Sequence, residues 1–322
     1  MKNLLKPLDY FFVMRPVQFY AVWAVFLAGF FVQNKFGVAA TSVGVNHNAA
    51  DVNEANLLWV GLGLTLLMAA VFVVHQVMAR DNDTKDKANL VAQGNVTPRR
   101  ALIESAILLV AGLTIGFVVS LKIGLLFLVL LFLTGLLYNF KPFRWKDKPL
   151  LSLTSSVLGA LLIFGAGWII RGAINFDTAI HALPYLCFVA ALFSYTRLAE
   201  ITDEEFRKKS PAQKNEFQYT IYFGLTLQVA ATVAGFLLKD EMIFYTAFFA
   251  IPFFGWAAAK MKMQDLHRAV GYSILLITLA VLIKFQVENG SLILFGVMAA
   301  LYVTCRLYYR FRFGLDYPRI GA

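Results

Sequence analysis

The sequence predicts an all-α integral membrane protein, built as a bundle of nine or ten transmembrane helices. Three observations support this: long apolar runs almost without charge, a composition of 59% hydrophobic and only 15% charged residues, and a mean hydropathy of +0.67. Soluble domains carry about 25% charged residues, and a bilayer core about 30 Å thick needs about 20 helical residues. Because little chain remains outside these runs, residues 1–322 are predicted to form a single polytopic membrane domain.

Ten apolar runs alternate with charged segments, which predicts ten spans. In chain order they are Tyr10–Val32, Leu57–Met78, Ala101–Leu121, Ile123–Tyr138, Leu150–Ile170, Ala179–Tyr195, Phe217–Leu238, Met242–Ala259, Ala269–Phe285 and Leu292–Tyr309. Lys122 and the pair Lys239–Asp240 are predicted to mark tight turns between neighbouring spans. The count falls to nine if the last run lies in the membrane interface instead of crossing the bilayer.

The distribution of basic residues predicts the orientation of the chain. The N-terminus and the segments after the even-numbered spans contain 24 of the 29 Lys and Arg residues. Cytoplasmic loops collect Lys and Arg, so both termini and these loops are predicted to be cytoplasmic, in a multi-pass protein of the cytoplasmic membrane. The same asymmetry explains the net charge of +10 without nucleic acid, because no soluble segment combines a basic stripe with interleaved aromatic residues.

Two of the predicted cytoplasmic loops are acidic, and they follow spans two and six. The carboxylates of interest are Asp81, Asp83 and Asp86 in the first loop, and Glu200 and Asp203 in the second. Carboxylate oxygens are ligands that Mg²⁺ prefers, and protein-bound Mg²⁺ often bridges to substrate phosphates. The first loop also fits a solvated segment of mixed charge, and the second fits a helix end with ion pairs such as Glu204 to Lys208.

The loop after span four is basic. Its sequence, Tyr138-Asn139-Phe140-Lys141-Pro142-Phe143-Arg144-Trp145-Lys146, places three cations within six residues, beside aromatic rings and a proline. Such a segment suits a polyanionic headgroup at the membrane surface, and positive-inside topology alone also explains it. The two acidic loops lie four spans apart, with the basic loop between them on the same face. Together the three loops predict a receptor for a pyrophosphate whose hydrocarbon tail stays in the bilayer.

These motifs resemble those of the UbiA-type superfamily of intramembrane prenyltransferases, which has about nine spans, over nearly the whole chain. The basic loop keeps Tyr138, Pro142, Arg144 and Lys146 of the family pattern Tyr-Ser-x-Pro-Pro-x-Arg-x-Lys. The segment Gln93-Gly94-Asn95-Val96-Thr97-Pro98 resembles the family's Ser-Gly-x-Ile-Ser-Pro stretch, and Arg15-Pro16 resembles the family's opening.

The acidic motifs differ from the family pattern in two ways. The first motif, typically Asn-Asp-x-x-Asp-x-x-x-Asp, fits in two registers: one runs from His75-Gln76 to Asp83, and the other reads Asn82-Asp83-x-x-Asp86. The second motif, Asp-x-x-Asp-x-x-x-Asp, becomes Glu200-x-x-Asp203-x-x-x-Arg207 and ends on a cation.

The resemblance implies Mg²⁺-dependent transfer of a prenyl group from an isoprenyl pyrophosphate to a lipophilic acceptor within the membrane. Membrane lipid is a further expected partner. The metal ligands that the resemblance implies are Asp81, Asp83, Asp86, Glu200 and Asp203. Catalytic roles are implied for Asp83, Asp203, Arg144 and Lys146, and substrate-binding roles for Tyr138, Lys141, Lys208, Lys214 and Gln76. The alternative is a non-catalytic, prenyltransferase-like lipid-binding protein or a transporter. Transporters usually place ionisable groups near the midplane, so the nearly charge-free spans favour the enzyme.

Overall fold

The computed structural model describes residues 6–41, 54–80, 89–171, 179–199, 210–315 and 317. Within these stretches the chain is helical and contains no β-strand, so the predicted all-α fold is confirmed. The long helices of these stretches are α1 Phe19–Thr41, α2 Glu54–Ala79, α3 Pro98–Val119, α4 Leu121–Leu130, α5 Pro149–Arg171, α6 Leu183–Ala199, α7 Pro211–Leu237, α8 Glu241–Lys260, α9 Met263–Asn289 and α10 Ile293–Phe313. Helix α4 continues as a π-helical segment, Leu131–Leu137.

Within the described stretches, eight helical segments are long and apolar enough to cross a membrane, namely Lys6–Val32, which includes the first part of α1, and helices α2, α3 and α5 to α9. Many of their large apolar side chains are exposed, including Leu58, Val118 and Phe236. Water-soluble proteins rarely expose apolar surface on this scale, whereas a bilayer covers it. Helix α4 and its π-helical continuation form a shorter apolar segment, Leu121–Leu137. Helix α10 is 21 residues long and carries arginines in its last turn.

The chain divides into two compact units. The first contains Met1–Gly172 and Ile293–Pro318, and the second contains Ala173–Leu292 and Arg319–Ala322. The single membrane domain expected from the sequence stays a prediction. In the first unit α2 packs along α3, α1 along α5, and α3 along α4. Helices α1 and α5 meet at Gly29 and Gly167, where an added Cβ would overlap a backbone carbonyl oxygen of the other helix. Such small residues allow membrane helices to approach closely.

The turn between α3 and α4 lies at Ser120 and not at Lys122. Ser120 is extended, with φ −166°, and its hydroxyl accepts a hydrogen bond from the Ile123 backbone N–H at 3.2 Å. It therefore caps α4 in the way serine commonly caps helices. Lys122 belongs to the first turn of α4. The turn predicted at Lys239–Asp240 is confirmed, since α7 ends at Leu237 and Asp240 is the N-cap of α8.

The second unit is a bundle in which α6 packs against α7 and α9, and α8 packs against α7 and α9. Buried polar side chains connect these apolar helices. The Tyr195 hydroxyl lies 3.1 Å from the Ile221 carbonyl and 3.3 Å from the Phe254 carbonyl. The Gln228 side-chain amide donates to the Ala247 carbonyl at 3.0 Å. Hydrogen bonds of this kind hold helices together where the hydrophobic effect between spans is weak.

Candidate functional site

Gln76, in the last turn of α2, connects three segments of the first unit. Its side chain is fully buried. Its Nε2 donates to the Val13 carbonyl at 2.6 Å, and its Oε1 accepts from the Leu90 backbone N–H at 3.0 Å. Asn89 Nδ2 donates to the Gln76 carbonyl at 3.3 Å. The described contacts of Gln76 are therefore with main chain and with Asn89, and they tie the N-terminal segment and the start of residues 89–97 to the end of α2. Its role in substrate binding stays a prediction.

Residues 89–97 form a series of turns before α3. The Asn89 side-chain oxygen accepts hydrogen bonds from the backbone N–H groups of Val91 and Ala92. Gly94 adopts φ +70°, which glycine tolerates without strain. Pro98 occupies the first turn of α3, where its missing N–H is not needed. The Asn89 side chain thus stabilises the turn that directly follows the first acidic loop.

The predicted metal ligands lie outside the described residues. Asp81, Asp83 and Asp86 fall in residues 81–88, and Glu200, Asp203 and Lys208 fall in residues 200–209. Among the described residues, no group of three or more His, Cys, Asp or Glu side chains is placed to hold a metal ion. The fit to Mg²⁺ is therefore judged from the five predicted carboxylates, whose oxygen atoms are the kind of ligand that Mg²⁺ prefers.

The described residues on both sides of these acidic segments belong to helix ends or to hydrogen-bonded turns. Helix α2 ends at Ala79, and Asn89 and Leu90 are both fully buried against Gln76. Helix α6 ends at Ala199, and α7 begins with a capping box formed by Ser210 and Gln213. Lys214 lies in the first turn of α7 and is half-buried.

The basic loop begins at the end of the π-helical segment, next to the last turns of α2. His75 Nδ1 lies 3.1 Å from Asn139 Oδ1, and the rings of His75 and Tyr138 are 6.0 Å apart. Asn139 is buried, and its Nδ2 donates to the carbonyls of Thr134 and Gly135 in the π-helical segment. The helix ends that lead into the first acidic loop and the basic loop are therefore joined side by side. Sequence analysis assigned no role to Asn139.

The predicted cations of the basic loop occupy different surroundings. Lys141 is exposed, whereas Arg144 and Lys146 are half-buried. Arg144 adopts the left-handed conformation with φ 38°, and its Nε lies 2.9 Å from the Asp147 carboxylate. This pair is partly exposed, and exposed ion pairs contribute at most about 1 kcal/mol. Asp147, a partner that sequence analysis did not identify, therefore holds Arg144 only weakly.

Sequence analysis also did not identify Asp9, a buried acidic residue in the N-terminal segment. Asp9 is 1% exposed and accepts hydrogen bonds from the Tyr308 hydroxyl at 2.6 Å and from Arg312 Nε and Nη2 at 3.1 and 2.9 Å. The hydrogen bonds with Asp9 raise the pKa of Arg312, so its guanidinium stays charged. The Phe12 ring stacks on Tyr308. Helix α10 thereby holds the N-terminal segment whose Val13 carbonyl is bound by Gln76.

Comparison with known families identifies the architecture. Residues 36–270 match the model of the UbiA prenyltransferase family. None of the curated proteins matches the chain by sequence.

Solved structures share the fold at low sequence identity. One, described as digeranylgeranylglyceryl phosphate synthase, has a TM-score of 0.59 and 16% identity, covering 86% of this chain and 97% of that chain. A UbiA homologue from Archaeoglobus fulgidus, bound to DMAPP and Mg²⁺, has a TM-score of 0.54 and 16% identity, covering 85% and 99%. The same homologue bound to Cd²⁺ also gives a TM-score of 0.54 at 16% identity, covering 84% and 99%. The resemblance seen in the motifs is confirmed.

Proposed function

The chain belongs to the UbiA prenyltransferase family, and from that membership we propose that it transfers a prenyl group from an isoprenyl pyrophosphate to a lipophilic acceptor within the membrane. The allylic C–O bond breaks and pyrophosphate leaves, while the acceptor forms a bond to the prenyl carbon and loses a proton. The proposal covers any lipophilic acceptor and any length of prenyl chain.

The contact between His75 and Asn139 carries this proposal. It joins the last turns of α2, which lead into Asp81, Asp83 and Asp86, to the end of the π-helical segment, which leads into Arg144 and Lys146. A carboxylate loop and a cationic loop that start from adjoining helix ends can approach the same pyrophosphate. An apolar helical bundle suits the hydrocarbon tail and excludes water from the reactive carbon.

The acidic and the basic residues of the loops have different roles. In this proposal Asp81, Asp83, Asp86, Glu200 and Asp203 would hold Mg²⁺, which supplies positive charge to the pyrophosphate oxygens when bound. Arg144 and Lys146 bind the same group, assisted by Lys208 and Lys214, and neutralise the charge that develops as the leaving group departs. Electrostatic stabilisation of this kind usually lowers the reaction barrier more than any other single effect. Tyr138 and Lys141 complete the predicted substrate contacts, whereas Gln76, which is fully buried, would act by holding the segments around the site.

Replacing Arg144 with alanine tests the role of the basic loop. We expect the variant to bind an unreactive isoprenyl pyrophosphate analogue roughly ten- to a hundredfold more weakly, because a charge-assisted contact is worth about 1.5–3 kcal/mol. Lys148→Ala is the matched control, since Lys148 is an exposed cation two residues beyond the basic loop. Calorimetric titration of both variants measures the difference. Equal affinities for wild type and Arg144→Ala would mean that this loop serves topology alone.

The orientation of the chain can be tested independently of activity. We propose that the acidic and basic loops face the cytoplasm, because 24 of the 29 basic residues fall on one predicted side. Single cysteines placed at Lys146 and Lys208 should be labelled by an impermeant thiol reagent from the cytoplasmic side, and one at Asn48 from the opposite side. Labelling of positions 146 and 48 from the same side would contradict the proposed topology.

A further inference from the structure

Helices α8 and α9 of the second unit enclose a groove that the proposed reaction does not use. Its volume is about 340 Å³, and its lining includes Pro252, Phe253 and Trp256 from α8 and Asp265, Arg268 and Tyr272 from α9. These residues lie close to the ends of the two helices that are joined by residues 261–262. Both helices are apolar enough to cross a membrane, so the groove lies near one end of a pair of candidate spans.

One wall of the groove is apolar and aromatic. The rings of Phe253 and Tyr272 stack with their centroids 4.6 Å apart. Trp256, which lines the groove, is 59% exposed. Tryptophan is enriched where the hydrocarbon core meets the headgroups, since its ring is apolar and its N–H is polar. This wall is suited to an acyl chain that enters from the bilayer.

The described residues beside the groove include two cations and one carboxylate. Lys260 Nζ lies 4.9 Å from the centre of the Trp256 ring, which lines the groove. Arg268 Nη1 lies 3.3 Å from Asp265 Oδ1, and 44% of the Arg268 side chain remains exposed while Asp265 is nearly buried. Among the described residues, Lys260 and Arg268 thus lie beside the groove with one carboxylate, Asp265, which already has an arginine partner. The rim is complementary to an anion.

We propose that the groove binds an anionic phospholipid of the surrounding leaflet. The phosphate lies between Arg268 and Lys260, and one acyl chain runs along Trp256, Phe253 and Tyr272. Basic pockets between membrane helices recognise anionic headgroups through this combination of charge and apolar surface. None of the residues named in this site belongs to the acidic or basic loops. Asp265 is the only carboxylate among the described residues that line the groove.

Quenching of Trp256 fluorescence by brominated lipids tests this site. The full chain is reconstituted in phosphatidylcholine vesicles that contain brominated phosphatidylglycerol or, at the same fraction, brominated phosphatidylcholine. The difference between wild type and Trp256→Phe isolates the signal of Trp256. We expect half-maximal quenching of that signal at a several-fold lower fraction of brominated phosphatidylglycerol than of brominated phosphatidylcholine.

Removing one positive charge beside the groove distinguishes specific binding of an anionic lipid from nonspecific contact with the bilayer. Lys260 is exposed, so Lys260→Gln should fold normally, and it should raise the phosphatidylglycerol fraction needed for half-maximal quenching about fivefold. Lys122→Gln, on α4, is the matched control and should change nothing. Arg268→Gln is less suitable, because it leaves the nearly buried Asp265 without its cation.

Two outcomes would overturn the proposal. The first is equal quenching by the two brominated lipids, or equal quenching in Lys260→Gln and wild type, which means that the groove does not select anionic headgroups. The second is relief of quenching by an added isoprenyl pyrophosphate, which means that the groove belongs to the prenyl donor.

Discussion

Asp83→Asn and Asp203→Asn are each expected to reduce Mg²⁺-dependent prenyl transfer by more than about a hundredfold. Even outer-shell partners of metal ligands cost roughly 10- to 100-fold in activity when they are replaced, and these two carboxylates are proposed to bind the metal directly. Asp83 fits the first acidic motif in both registers, and Asp203 matches the second motif best. Asparagine preserves size and hydrogen bonding but removes the negative charge that favours Mg²⁺ binding.

The measurement pairs turnover with thermal stability on the same preparations. A labelled isoprenyl pyrophosphate and a membrane extract report prenyl transfer, and a thermal shift on adding Mg²⁺ and pyrophosphate reports binding. We expect the melting temperature without ligand to change little, because carboxylates of charged loops usually add little to folding. Glu241→Gln neutralises an exposed carboxylate in the first turn of α8 and should leave turnover intact. If wild type shows neither transfer nor shift, a lipid-binding protein or transporter replaces the enzyme.

The helices could be predicted from the sequence because each one is specified locally. Long apolar runs fix the position of a span, and a pair such as Lys239–Asp240 interrupts the run where α7 gives way to α8. The turn before α4 was misplaced for a physical reason. Lys122 is conspicuous in an apolar run, but the residue that ends α3 and caps α4 is Ser120, whose single hydroxyl barely changes the hydropathy.

The motifs predicted which loops carry charge but not how their side chains pair. The i,i+3 spacing of Arg144 and Asp147 was available in the sequence, yet an aspartate at the edge of a basic loop is equally consistent with a solvated position. His75 and Asn139 lie 64 residues apart, and no local pattern links them. Pairing of this kind depends on how the helices pack, which hydropathy does not encode.

Loss of the Asp9 carboxylate is expected to destabilise the protein by about 3 kcal/mol, the lower end of the range for removing one partner of a buried ion pair. Asp9→Leu leaves Arg312 in a site where only 11% of its side chain is exposed. It also removes the acceptor of the Tyr308 hydroxyl. Asp9 and Arg312 are 303 residues apart, so the loss should detach α10 from the N-terminal segment. Unfolding in mixed micelles with increasing sodium dodecyl sulfate measures the change.

The double variant Asp9→Leu/Arg312→Met separates the ion pair from simple loss of packing. Replacing both members of a buried pair with apolar residues is often nearly neutral, so the double variant should recover most of the stability that Asp9→Leu loses. Arg310→Met is the matched control, because Arg310 is exposed at the same end of α10 and should change stability by less than about 0.5 kcal/mol. If Asp9→Leu and Arg310→Met lose equally little, the N-terminal segment is held by the Phe12–Tyr308 stacking and not by the buried charge.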